Sequence, residues 1–248
     1  SEMCIRDRAR VIPLQTWLDD VEVSAGTLIL IRDLTELRDR DRQLVTKDAT
    51  IREIHHRVKN NLQTVAALLR LQSRRMSNSD AKDALKQAMG RVSAIAVVHE
   101  ILSQNFEEQV AFDEVADRIL HMVGDVAASS GSVVARREGS FGEVPAETAT
   151  ALSLATTELC QNAIEHSLDS SSGNVIVRPH RTDDALVVDI VSDGKPLPEG
   201  FSLDNHRSSL GLSIVTTLMQ DLGGTFTLED NSDRVGTCAR LVIPLQRL

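Results

Sequence analysis

From Ile51 to Met76 the chain sets Ile51, His55, Val58, Leu62, Val65, Leu69, Gln72 and Met76 at strictly alternating intervals of four and three. A repeat held that long keeps one stripe on one side of a helix, and the stripe needs another helix to cover it, in a bundle or a coiled coil. The string M-S-N-S at 76–79 then breaks the helix, with Ser79 or Asp80 placed to cap the next one. That second helix, Asp80 to about Gln104, carries its own stripe at Leu85, Ala88, Val92, Ile95, His99 and Leu102. Two helices joined by so short a turn form an antiparallel hairpin. One hairpin leaves its other apolar side open, so two copies are expected to pair as a homodimer, a four-helix bundle.

The same register separates two adjacent histidines. His55 points into the stripe, and His56 lies about 100° further round, on a flank that a second protein surface can reach. Asn60 is one turn below His56 on the same face, and Arg57 and Lys59 add positive charge beside the imidazole. These surroundings suit a group that accepts a phosphoryl, although a helical histidine is ordinarily a surface or core residue. His99 reads as a buried hydrogen-bonding partner rather than a second acceptor. The string H-H-R-V-K-N-N resembles the phosphoacceptor box of sensor histidine kinases of the H-R-x-K-N (HisKA_2) type, in which the phosphorylated histidine directly precedes the arginine. The resemblance implies that His56 is phosphorylated. Arg57 cannot take a proton from it. Glu53, three residues before His56, can reach the ring and fix its tautomer, or it can merely pair with Arg57 four residues on.

The flanks bound the rest. With 42% hydrophobic residues the chain is globular, and no apolar run is long enough for a membrane segment. A net charge of −9 and no tyrosine leave neither a basic stripe nor a stacking platform for nucleic acid. Cys4, Cys160 and Cys238 form no CxxC pair; this argues against a zinc site or disulfide framework and fits a reducing, cytoplasmic location. Ser1 to Arg8 read like translated adapter sequence and are set aside. Short β-type runs, Ala9–Leu14 and Gly26–Arg32, precede I-R-D-L-T-E-L, which resembles the exit of a PAS sensor domain and implies a truncated end of one over 1–37. Thr35 to Asp48, dense in both charges, reads as a solvated linker helix.

After Phe106 the pattern turns to mixed α/β: a helix over Phe112–Ala128, a strand over Ser132–Arg137, and a long helix from Pro145 to Ser167. Strands follow at Val175–Val177 and Leu186–Val191, then a helix at Leu210–Leu222, and strands at Thr225–Glu229 and Cys238–Ile243. Helices on one face of a mixed sheet make an α/β sandwich. Four motifs here fit one constellation. In T-E-L-C-Q-N-A-I-E-H (Thr157 to His166), Glu158 and Asn162 stand four apart on one helix face, hard oxygen donors suited to Mg²⁺. V-S-D-G-K-P-L-P (Val191 to Pro198) contains Gly194, permissive for a close turn. S-S-L-G-L-S-I-V puts Leu210, Gly211 and Leu212 at a helix start, where free N–H groups attract phosphate. Gly236 and Thr237 open G-T-C-A before the last strand.

Together these resemble the nucleotide site of the GHKL (Bergerat) fold shared by histidine kinases, gyrase and Hsp90-type ATPases. The resemblance implies ATP and Mg²⁺, with Asn162 and Glu158 at the metal and His166 at the nucleotide. It sets Ser192 where an adenine-reading Asp is expected and Pro196 in place of a second glycine. Asp193, one residue displaced, is the possible substitute. The loop Lys195 to Ser209, with His206 and Arg207, is the implied lid. The expected architecture is α+β and multidomain: a PAS-like end over 1–37, a linker and helical hairpin over 38–108, and a GHKL domain over 109–248. The expected activity is ATP-dependent phosphorylation of His56, with Asn60, Glu158 and Glu53 assisting, followed by transfer to an Asp of a response regulator receiver domain. The alternative is a non-catalytic dimeric scaffold with a degenerate ATP site.

Overall fold

The computed structural model describes residues 8–18, 21–32, 35–104, 109–128, 133–168, 172–203, 210–232 and 235–245. The adapter-like residues 1–7, the Phe106–Glu108 transition and the lid from 204 to 209, with His206 and Arg207, lie outside them. The chain divides into two compact units, Ser1–Ile51 and Arg52–Leu248. In the first unit, β1 (Arg8–Leu18) and β2 (Val21–Arg32) pair antiparallel, with a register shift at Leu14/Gln15. Both strands run longer than the sequence pattern suggested. The charged stretch that follows is the start of α1 (Thr35–Arg75).

In the second unit α1 faces α2 (Ser79–Gln104). The cap of α2 is Asn78, not Ser79 or Asp80: its side-chain oxygen accepts the Asp80 N–H at 2.8 Å while its carbonyl accepts from Lys82. Asn is as good a cap as Ser or Asp, so identity alone could not choose among three neighbours. The stripe of α1 also shifts along its length. His55, Val58, Leu62 and Leu69 are half-buried as expected, but Ala66 and the buried Ser73 continue the covered face. Val65, Gln72 and Met76 are exposed, and Ile54, Leu68 and Leu71 stand exposed with Val65.

α2 is two-sided. The expected stripe is half-buried from Leu85 to His99 and buried at Leu102, whereas Ala94, Val98 and Ile101, on a neighbouring face, are buried in one cluster with the helices that follow. Those are α3 (Phe112–Ala128), which buries Phe112, Val115, Ile119 and Val123 at helical spacing, and α4 (Ala146–Asn162). α4 continues as one π-helical turn, Ala163–Ser167. The remaining elements are β3 (Gln109–Ala111), β4 (Val133–Arg137), β5 (Glu143–Pro145), β6 (Gly173–Arg181), β7 (Ala185–Ser192), α5 (Leu210–Asp221), β8 (Thr225–Asp230) and β9 (Thr237–Pro244).

The five-stranded sheet has the order β4-β6-β7-β9-β8, parallel only between β4 and β6. Short β3 and β5 pair separately. β7 shows why the layers form: Leu186, Val188, Ile190 and Ser192 are buried and alternate with partly exposed residues, the period-two signature of a sheet covered on one face. α3, α4 and α5 provide that cover, packed against β4, β7 and β8. This is the expected hairpin followed by an α/β sandwich.

Candidate active site

The hairpin sorts its histidines by the register that the sequence implied. His55 Nδ1 lies 2.9 Å from His99 Nδ1, across α1 and α2. At that distance one ring donates N–H and the other accepts, so the pair holds a single proton between these atoms. Burial pushes both histidines below the usual imidazole range, and His99 is depressed further by His55. His56 stands exposed on the flank, as does Asn60.

The charges near His56 are already paired. Glu53 accepts from Arg57 Nε at 2.7 Å, and that hydrogen bond holds its carboxyl below the usual range. Glu53 therefore takes the simpler of its two sequence options, because Arg57 lies one full turn on and brings a charge to the bond. Lys59 faces Glu100 of α2 at 3.8 Å.

The second centre is a cavity of about 410 Å³ in the α/β layer. Asn162, Ala163, His166 and Ser167 line it together. The π-helical turn explains the grouping: Leu168 N–H bonds to Ala163 O, five residues back, and this wider turn brings residues four and five apart onto one side. Leu159, Ile190, Leu212, Leu228 and Ala239 supply apolar wall, Thr237 a hydroxyl, and Lys195 to Pro198 with Phe201 a rim. Asn162 thus offers an amide oxygen at the edge of an apolar cleft, a fit for a hard cation carried in by phosphates. Leu210 is exposed at the start of α5 and Gly211 follows it.

Two close approaches build the floor. A Cβ on Gly194 would come within 2.2 Å of Ser167 O, and one on Gly236 within 1.9 Å of Ser192 O. Glycine is required at both because backbone meets backbone there. Ser192 is buried between its neighbours, with Oγ 2.7 Å from Ser167 Oγ and 2.8 Å from Thr237 Oγ1. Asp193 does not stand in for the missing Asp. Its carboxylate accepts from Asn174 N at 2.7 Å and from Asn174 Nδ2 at 2.6 Å, on the outside of the turn. Alternation along the strand end explains this, since residues next to each other point to opposite faces.

Glu158 and Asn162 do not converge. Both Glu158 oxygens are taken by Arg91 of α2, at 2.6 Å from Nε and 2.8 Å from Nη2. The side chains are 5% and 18% exposed, so this is a largely buried, bidentate pair. Four residues turn a helix by about 40° beyond a full circle, enough for Glu158 to meet α2 while Asn162 meets the cavity. Hydrogen bonding by Glu158 raises Arg91 above its usual range. Gln87 of α2 adds a bond to Glu165 at 3.3 Å. Burial pushes the thiol of Cys160, between these residues, up to about 12 and leaves it inert. The sequence reading missed Arg91 and Ser167. Gln87, Arg91, Ala94, Val98 and Ile101 form a four-three stripe that would have marked Arg91's face.

Comparison with known proteins bears on the family and the fold. The histidine kinase profile HisKA_2 matches residues 53–127, and the profile of histidine kinase-, DNA gyrase B- and HSP90-like ATPases matches residues 147–247. Sensor histidine kinase PdtaS of Mycobacterium tuberculosis is 50% identical over 227 residues, covering 90% of this chain and 45% of that protein. Its counterpart in Mycolicibacterium smegmatis is 48% identical over the same span. The chain thus spans about half the length of these curated relatives. Among solved structures, the histidine kinase domain of the Erythrobacter litoralis EL346 blue-light activated histidine kinase superposes with a TM-score of 0.56. It is 26% identical and covers 84% of this chain and 94% of that one.

Proposed function

The chain belongs to the histidine kinases, and from that premise we propose that it is the core of a two-component sensor kinase that phosphorylates its own His56 from ATP. The observation that carries this reading is the division of labour between two adjacent rings: His55 is held by His99, and His56 is exposed. In the reaction His56 Nε2 attacks the γ-phosphorus. A P–N bond forms, the bond to the β-phosphate oxygen breaks, ADP leaves, and the ring loses its Nδ1 proton. Such a transfer depends on positioning and charge neutralisation more than on covalent help. The cleft around Asn162, His166 and Thr237 binds the nucleotide, and its apolar walls take the base. Asn162 holds Mg²⁺, which when bound offsets phosphate charge. Glu158 joins it only if released from Arg91, and Glu53 orients His56 only if released from Arg57.

The phosphoryl then passes to an Asp of a response regulator receiver domain that docks on the hairpin. Ile54, Val65, Leu68 and Leu71, exposed on α1, are the surface for a second copy, giving a homodimer. The β1–β2 hairpin is read as the end of a PAS domain. Among the described residues no helix is long and apolar enough to cross a membrane; we assign this core to the cytoplasm. Incubation with γ-labelled ATP should give an acid-labile, base-stable protein adduct that His56→Gln abolishes and His55→Gln does not. Label that survives His56→Gln and vanishes in His55→Gln would assign the chemistry to the wrong ring. One observation favours a non-catalytic scaffold instead: Ser192 replaces the expected Asp. No binding at millimolar Mg-ATP would decide for it.

A further inference from the structure

The base-reading end of the cleft contains hydroxyls where a carboxylate is expected. Ser167 and Thr237 line the cavity, and the buried Ser192 ties them together. Ser167 Oγ also donates to Lys195 O at 3.1 Å. No acidic residue is among the described residues lining the cavity. The two nearby carboxylates are engaged elsewhere, Asp193 on Asn174 and Asp230 on the Leu197 N–H.

The difference is chemical, not only steric. An ionised carboxylate can only accept hydrogen bonds, whereas a hydroxyl donates one and accepts others. The carboxylate therefore demands a donor such as the 6-amino group of adenine. The three hydroxyls Thr237–Ser192–Ser167 can run either way, while Lys195 O can only accept. When Thr237 donates to Ser192, Ser192 to Ser167 and Ser167 to the carbonyl, Thr237 offers the cleft a lone pair. When Ser167 donates to Ser192 and Ser192 to Thr237 instead, Thr237 turns its O–H into the cleft; every hydroxyl keeps a partner, and one bond, from Ser167 to the carbonyl of the exposed Lys195, is given up. Changing adenine to hypoxanthine inverts both groups on that edge of the ring, amino to oxo and N1 to N1–H. The hydroxyls can invert with it at the cost of one hydrogen bond, that from Ser167 to Lys195 O.

We propose that this cleft does not discriminate at position 6 of the purine, and that 6-oxopurine nucleoside triphosphates bind it and donate their γ-phosphoryl alongside ATP. The transfer is otherwise the same: the P–N bond to His56 forms and the nucleoside diphosphate leaves. This rests on the reading of the cleft as the nucleotide site. Its test is calorimetric titration of the full chain with Mg-ATP and Mg-ITP, since ITP differs from ATP only on the edge in question. The expected dissociation constants lie within about tenfold of each other, because the two arrangements differ by one hydrogen bond, worth about 1 kcal/mol. Ser192→Asp should raise the preference for ATP by about tenfold or more. Should that variant not fold, Thr237→Val provides the second test, weakening both nucleotides by a similar factor because one hydroxyl serves both. ATP preferred over ITP by more than about tenfold in the parent, or Thr237→Val weakening ATP alone, overturns the proposal and leaves the nucleotide site standing. Binding of neither nucleotide overturns both.

Discussion

Arg91→Ala removes the guanidinium from a carboxylate that is 5% exposed. Breaking a buried ion pair from one side costs about 3–5 kcal/mol, because the remaining charge is stranded. Arg91 itself is 18% exposed, so some water can reach the orphaned Glu158. That brings the expected loss below that range, to about 2–3 kcal/mol. Since Ala94 and Val98 of the same helix lie in the core shared with α3 and α4, loosening α2 should register in the main unfolding transition. With a urea slope of about 2–3 kcal/mol/M, the midpoint should fall by about 1 M. The double variant Arg91→Met/Glu158→Leu separates charge from packing. Replacing both partners with apolar groups of similar size should recover most of the loss, as it does for other buried pairs. A loss under about 0.5 kcal/mol in Arg91→Ala would refute the reasoning, as it would make the pair no stronger than a surface bridge.

Four shorter predictions follow from the same geometry. His55 and His99 are both depressed by burial, so the folded state favours neutral rings; their contribution is complete above the ordinary imidazole value and is lost as pH falls toward the depressed values. Urea titrations below pH 6.5 should show a slope that His99→Gln flattens, and an unchanged slope would exclude the pair as its source. Asn162→Ala should eliminate the Mg-dependent part of ATP binding, read by calorimetry with and without Mg²⁺; a variant that still gains affinity on addition of Mg²⁺ as the parent does would place the metal elsewhere. Glu53→Gln should leave stability essentially unchanged, since the Arg57 bridge is exposed, and a clear drop in the urea midpoint would give Glu53 a structural role. Leu68→Glu puts a charge into the exposed α1 stripe and should convert a dimer to monomers by light scattering, whereas an unaltered mass would move the interface off that face.

The hairpin and the order of the α/β elements were legible because they rest on long periodic runs. The four-three spacing put His55 in the stripe of α1 and His99 in the stripe of α2, and the structure pairs them. It failed further along α1, where the covered face continues through Ala66 and Ser73. Small residues carry little hydropathy, so Val65 and Met76 drew the stripe to the wrong side. β3 and β5 are only three residues each, too short for any period to register. The glycines of the cleft were legible as motif positions, but their reason was not: close backbone approach at Gly194 and Gly236 is a tertiary fact. Arg91 and Glu158 are 67 residues apart, and nothing local in either segment selects the other.

The two stripes of α2 are offset by one residue, and this offset decides how the two centres can influence each other. Val92, Ile95 and His99 face α1, while Gln87, Arg91, Ala94 and Val98, about 100° away round the helix, face the α/β domain. A helix is stiff about its own axis because its hydrogen-bond ladder fixes the rotation of every residue. Turning α2 to repack His99 against His55 therefore carries Arg91 through the same angle. A bidentate fork tolerates little rotation before one of its two bonds is lost. Between Arg91 and the cavity lies a single helix, with Glu158 one turn before Asn162. Rotation of the hairpin and the position of the nucleotide-facing residues are thus linked through the contacts of α2 with α4 and its π-helical turn, the Arg91–Glu158 pair and the Gln87–Glu165 bond among them. Interfaces packed this closely shift between discrete arrangements rather than deforming continuously. In the proposed reaction, the cost of separating Arg91 from Glu158 limits how readily the nucleotide domain can leave α2 and reach His56.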